Sequence, residues 1–131
     1  MTTLLEVWRI RRAAIVVVLI IGLMAASVAL AHHRVLRGKA YYYANKYVGQ
    51  TMACGGTYRH RKMVAAHRRL PCGTRLRVKN LRNGRRVTVT VKDRGPYGDD
   101  DFILDLSRRA AKKLHFVRAG TAKVRAVVLH N

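Results

Sequence analysis

Acidic residues are scarce in this chain: 6 of 131 positions are Asp or Glu, against 27 Lys and Arg, giving a formal net charge of +21. A field of that sign attracts polyanions and speeds encounter with them. Nucleic acid, anionic lipid and an anionic cell wall all qualify on charge alone. Cysteine is equally sparse. Cys54 and Cys72 form neither a CxxC pair nor a His/Cys spacing suited to zinc. No metal and no cofactor is expected. There is no internal repeat and no low-complexity tract. Beyond the N-terminal segment there is no long amphipathic cationic helix of the kind that lies on a membrane surface. The length suits one domain plus a targeting segment.

The one long apolar run stands at the start. Arg9, Arg11 and Arg12 precede it, and from Ala13 to Ala31 no residue is charged. Ala29 and Ala31 supply the small residues that a signal peptidase reads. Residues 1–31 are therefore expected to be a cleaved export signal. The alternative is a retained anchor over residues 13–31, long enough to span a bilayer. The small residues Ala25-Ala26-Ser27 favour cleavage. Either way the rest of the chain is expected outside the cytoplasm, in the periplasm or at the cell wall, and would touch a membrane only through an uncleaved segment. No Cys follows the run, so a bacterial lipid anchor is not available. Residues 1–31 hold only three of the basic residues and one acid, so the positive charge belongs to the exported part. Nucleic acid is thereby demoted as a partner and anionic cell-wall polymers are promoted. In an exported chain Cys54 and Cys72 read most simply as one disulfide.

Residues 32–37 are polar and expected to be a flexible linker, with the folded domain over 38–131. Gly38 to Tyr43 has strand propensity. Arg75–Lys79 and Arg86–Lys92 alternate polar and apolar, with Val87, Val89 and Val91 on one face and a basic outer face. Asn83-Gly84 between them predicts a two-residue hairpin turn. Phe102–Leu106 reads as a short buried strand, and Ser107 as the cap of a helix from Arg108 to Leu114. Ala122–Val128 is a last alternating strand. Many short strands with frequent turns and a brief helix predict a small closed barrel.

Five blocks in this order resemble a known family. They are Gly38-Lys39-Ala40-Tyr41-Tyr42-Tyr43, the stretch Met63–Thr74 with Ala65-Ala66-His67 and Leu70-Pro71-Cys72-Gly73-Thr74, and the hairpin Asn80–Arg85. Asp93-Arg94-Gly95-Pro96-Tyr97 and Ile103-Leu104-Asp105-Leu106-Ser107 with Ala110-Ala111 complete the set. Together they resemble the rare lipoprotein A (RlpA-like) family from about Gly38 to Val128. The resemblance implies a mainly β fold: a six-stranded double-psi β-barrel with one or two short helices, here preceded by the N-terminal helix. It also implies peptidoglycan glycan strands as partner. Some members are lytic transglycosylases that prefer strands stripped of their stem peptides. The alternative function is an expansin-like module that binds and loosens the wall without cleaving it.

Glycoside cleavage needs a group that protonates the departing oxygen. Asp93 matches the family's catalytic acid, and half-burial at the end of an apolar strand could raise its pKa. His67 matches the family histidine and could hydrogen-bond Asp93 or orient a sugar hydroxyl. A lytic transglycosylase needs no attacking water, because the sugar's own hydroxyl closes onto the anomeric carbon. Tyr97 and Tyr43 are candidate sugar-stacking residues and Arg94 a candidate substrate contact. The competing reading is packing for the tyrosines and a turn cap for Asp93. Asp99, Asp100 and Asp101 are expected to form a solvated loop, and Asp105 to serve the helix entry rather than chemistry.

Overall fold

The computed structural model describes residues 3–28 and 33–129. It divides into two units, residues 1–32 and 33–131. The first is the helix α1, Leu4–Val28, within which the Arg12 guanidinium sits 3.9 Å above the Trp8 ring. Among the described residues no helix is long and apolar enough to cross a membrane. The expected cleavage residues Ala29 and Ala31 lie outside the described residues.

The second unit is a closed barrel. Its strands are β1 Val35–Tyr42, β2 Val64–Ala66, β3 Arg75–Asn80, β4 Arg86–Asp93, β5 Phe102–Leu106 and β6 Ala122–Leu129, in the spatial order β1-β5-β2-β4-β3-β6. Pairs β1/β5 and β2/β4 are parallel and the others antiparallel. A 3₁₀ turn spans Asn45–Tyr47, and a short helix, α2, spans Arg108–Lys113. Alternation builds this architecture. Leu76, Val78, Val87, Val89, Val91, Leu104, Leu106, Val124 and Ala126 fill the interior, joined by Ala110, Ala111 and Leu114 from and beside α2. A smaller cluster of Tyr43, Met52, Tyr58, Val64 and Ala66 forms a second buried group.

Three local expectations change. The strand β1 begins at Val35, inside the expected linker, because β6 runs far enough to pair Val35 with Val127. The hairpin loop is Leu81–Arg85 rather than two residues. Gly84 takes φ 75° and its N–H reaches back to the Asn80 carbonyl at 2.8 Å, closing a wider turn. Ser107 starts α2 but its hydroxyl caps nothing there. It is fully buried and accepts from the Val64 N–H at 3.4 Å, tying β2 to the helix entry.

One irregularity positions chemistry. Ala65 pairs with Val91, yet Ala66 pairs with Asp93. Lys92 is therefore an extra residue on β4. Val87, Val89 and Val91 face the core, and unbroken alternation would send Asp93 inward with them. The bulge reverses the phase and turns Asp93 outward. Ala66 also pairs with Asp105 on β5. The two carboxylates thus flank one alanine at the same level of the barrel, with backbones two strand spacings, or about 10 Å, apart.

Candidate active site

Asp93 and Asp105 open into a groove of about 700 Å³ whose walls include Tyr41, Tyr43, Tyr47, Arg94 and Tyr97. Asp93 is held from three directions. Its Oδ1 accepts from the backbone N–H of Ala53 at 2.8 Å and of Arg94 at 2.9 Å, and its Oδ2 accepts from the Tyr43 hydroxyl at 2.6 Å. Tyr43 is only 7% exposed. Its ring stacks on Tyr58 at 4.2 Å between centroids and meets Tyr47 edge-on at 5.6 Å. Burial first, and the hydrogen bond to Asp93 second, push the Tyr43 hydroxyl above its ordinary value, so it remains a donor. Tyr43 therefore reaches the groove through its hydroxyl and presents no free ring face. Replacing Tyr43 by Phe keeps the stack and deletes one donor to a charged group. Such a bond contributes about 1.5–3 kcal/mol, so turnover is expected to fall roughly tenfold or more and the melting temperature to drop by on the order of 10 °C. An unchanged rate in Tyr43→Phe would remove the hydroxyl from the site.

Asp105 is the residue that the sequence assigned elsewhere. It sits in the groove, with Oδ2 3.6 Å from where a Cβ on Gly95 would stand. Burial, reinforced by the negative charge of Asp93, raises its carboxyl from the ordinary 3.8 to about 6. Gly95 has φ 125°, a conformation that side-chain-bearing residues rarely adopt, so it lets the Asp93-Arg94-Gly95-Pro96 turn pass close over Asp105.

His67 stands apart from the Asp93 carboxyl. Its Nδ1 accepts from the backbone N–H of Arg69 at 3.0 Å and of Leu70 at 2.9 Å. The neutral ring then carries its proton on Nε2. Burial, followed by the positive charges of Arg34, Arg94, Arg68 and Arg69, lowers its pKa and keeps it neutral at pH 7. Its link to Asp93 is through the backbone: the His67 N–H donates to the Asp93 carbonyl at 3.1 Å. The Arg94 guanidinium donates to the carbonyls of His67 and Leu70 at 3.1 and 2.8 Å, clamping the His67 loop. Arg94 makes no ion pair with Asp93.

Tyr97 is 74% exposed and offers its ring to the groove. Tyr41 and Tyr47, which sequence reasoning passed over, are also partly exposed there; Tyr41 stacks on Phe102 at 3.5 Å. Tyr42 packs on Phe116 instead and donates to the Val117 carbonyl. The three aspartates of the loop stay outside the groove. Asp100 pairs with Arg68 at 2.9 Å and Asp101 with Lys39 at 3.3 Å. Arg68 also donates to the carbonyls of Pro96, Asp99 and Phe102, so it fixes this loop beside the site. Cys54 and Cys72 form the expected disulfide, 18 residues apart in sequence. Among the described residues no group of His, Cys, Asp and Glu could hold a metal ion.

Residues 35–126 match the family described as lytic transglycolase. The chain belongs to that family. A probable endolytic peptidoglycan transglycosylase RlpA of Aquifex aeolicus is 49% identical over 94 residues, which cover 72% of this chain and 41% of that relative. The chain thus spans less than half the length of this relative. Among solved structures, a Streptomyces papain inhibitor superposes with TM-score 0.60 at 25% identity, covering 74% of this chain and 96% of that one. An expansin of Clavibacter michiganensis superposes with TM-score 0.58 at 27% identity, covering 75% and 52%. The lytic transglycolase barrel and the expected double-psi fold are therefore the same object here.

Proposed function

We propose that this domain acts at the cell wall as a lytic transglycosylase, cleaving peptidoglycan glycan strands in the groove between Asp93 and Asp105. The observation that carries this reading is the pair of carboxyls flanking Ala66, one charged and held by three donors, the other raised to about 6. Two neighbouring carboxyls in environments this different divide acid and base work. Asp105, protonated near pH 6, gives its proton to the departing glycosidic oxygen. The sugar's C6 hydroxyl attacks the anomeric carbon as that bond breaks, and its proton passes to the Asp93 carboxylate. The products are a 1,6-anhydro end and a free 4-hydroxyl, and solvent exchange restores both carboxyls. Asp93 keeps the base half of the role expected of it, and its charge also favours the oxocarbenium-like transition state. His67 does not line this groove, and its part is to position Asp93 through the hydrogen bond from its backbone N–H to the Asp93 carbonyl. Tyr97 and Arg94 border the bound strand.

The test is mass spectrometry of the products formed by the purified full chain from intact and peptide-stripped peptidoglycan. Anhydro-ended fragments that vanish in Asp93→Asn and in Asp105→Asn are expected. Sedimentation onto the wall without any product would move the assignment to the expansin-like binding module, a reading supported by the superposition on the Clavibacter protein.

A further inference from the structure

The strand register brings basic side chains into direct opposition. Arg37 on β1 pairs with Arg125 on β6. Arg125 in turn pairs with Lys79 on β3, and Lys79 pairs with Arg86 on β4. Four cations therefore stand side by side across four adjacent strands, a row of three strand spacings, or about 14 Å. Arg77 stands two residues along β3, on the same face. Side chains of Arg77, Lys79, Arg86 and Arg125 converge on one depression of about 380 Å³. Like charges directly opposite on a sheet are destabilising. Among the described residues no acid lines the depression that holds Lys79, Arg86 and Arg125, while Arg37 at the end of the row shares a second hollow with Asp100 and Asp101. All six acids of the chain are among the described residues, and the two ion pairs found there, Lys39–Asp101 and Arg68–Asp100, involve no member of the row. Asp93 and Asp105 lie in the catalytic groove, and none of the row lines that groove.

We propose that this row is a binding track for a linear phosphate-bearing polymer of the cell envelope, separate from the glycan groove. The arrangement suits a chain rather than a single ion, because its charges recur at the strand spacing in a line. Three of the four members are Arg, whose planar fork matches the oxygens of a phosphodiester with two parallel hydrogen bonds. The bound polymer would supply countercharge to Lys79, Arg86 and Arg125, whose depression no described acid lines. The track does not depend on the cleavage proposed above.

The experiment measures affinity of the full chain for medium-chain inorganic polyphosphate as a function of salt. The variant Lys79→Gln/Arg125→Gln is compared with Lys113→Gln/Arg118→Gln, which removes the same charge from exposed positions elsewhere. Loss of two phosphate contacts is expected to weaken binding roughly tenfold at low salt and to flatten the salt slope by about one per side chain. The same variant should melt higher, because the opposed charges are relieved, and the control pair should leave affinity and slope near wild type. Equal loss in the control pair would show that net charge alone governs binding and would overturn the track. So would equal affinity for polyglutamate, or binding to phosphatidylglycerol vesicles without binding to the free polymer.

Discussion

Asp105→Asn is expected to lower turnover on peptide-stripped glycan strands by about 10²–10⁴-fold, the range that a positioned general acid supplies. It should also raise stability at pH 7. The two effects have one cause. The carboxyl of Asp105 is half-buried beside the negative charge of Asp93, so its ionised form is disfavoured in the folded state. An amide has the same shape and no charge to bury, but it has no proton to give. Loss of activity together with loss of stability would instead mark Asp105 as a structural residue.

The same carboxyl sets the pH dependence. Its folded value, about 6, lies above the ordinary 3.8, so the folded state binds the proton more tightly than the unfolded chain does. Stability linked to this group therefore falls as pH rises from about 4 to about 6 and stays lower above that window. Activity follows the protonated acid and should decline as pH rises through about 6. A rate that keeps climbing from pH 5 to pH 8 would contradict Asp105 as the acid. In Asp105→Asn the stability change over this window should be reduced, which separates the contribution of Asp105 from general titration of the chain.

The sequence carried the barrel more fully than the site. Alternating valines in β4 and the polar–apolar alternation of β3 announce strands with one face buried, and the ordered motif blocks name the fold. The site depends on features with no local signature. The extra residue Lys92 decides whether Asp93 faces the core or the groove, yet it looks like one more polar position in an alternating strand. Asp105 sits between Leu104 and Leu106 as any outward residue of a short strand would. Only its pairing with Ala66, shared with Asp93, brings the two carboxyls to one level of the barrel. His67 was legible as a motif residue, but its Nδ1 is taken by two backbone donors in a turn that spacing does not reveal. The basic outer face of the hairpin was visible too. That Arg37, Arg125, Lys79 and Arg86 fall into one row is a fact of register between strands up to 88 residues apart in sequence.

The second large effect concerns the disulfide. Closing a loop over a separation of 18 residues limits the unfolded chain and contributes about 3 kcal/mol on chain-entropy grounds. For a domain near 100 residues that corresponds to a melting temperature lower by on the order of 15 °C in Cys54→Ser/Cys72→Ser. Activity should fall as well, and below the onset of melting. Cys54 follows Ala53, whose N–H holds Asp93 Oδ1, and its own N–H is bound to the Lys92 carbonyl at 3.0 Å. Cys72 ends the loop that Arg94 clamps through Leu70. The bridge therefore ties together the two loops on either side of the bulge that aims Asp93. Its loss would leave the barrel's ladder intact and loosen one of the three donors on the Asp93 carboxylate. Circular dichroism at 25 °C should look native while turnover drops. A double variant that melts within a few degrees of wild type and turns over at the wild-type rate would mean that backbone hydrogen bonds alone hold the site.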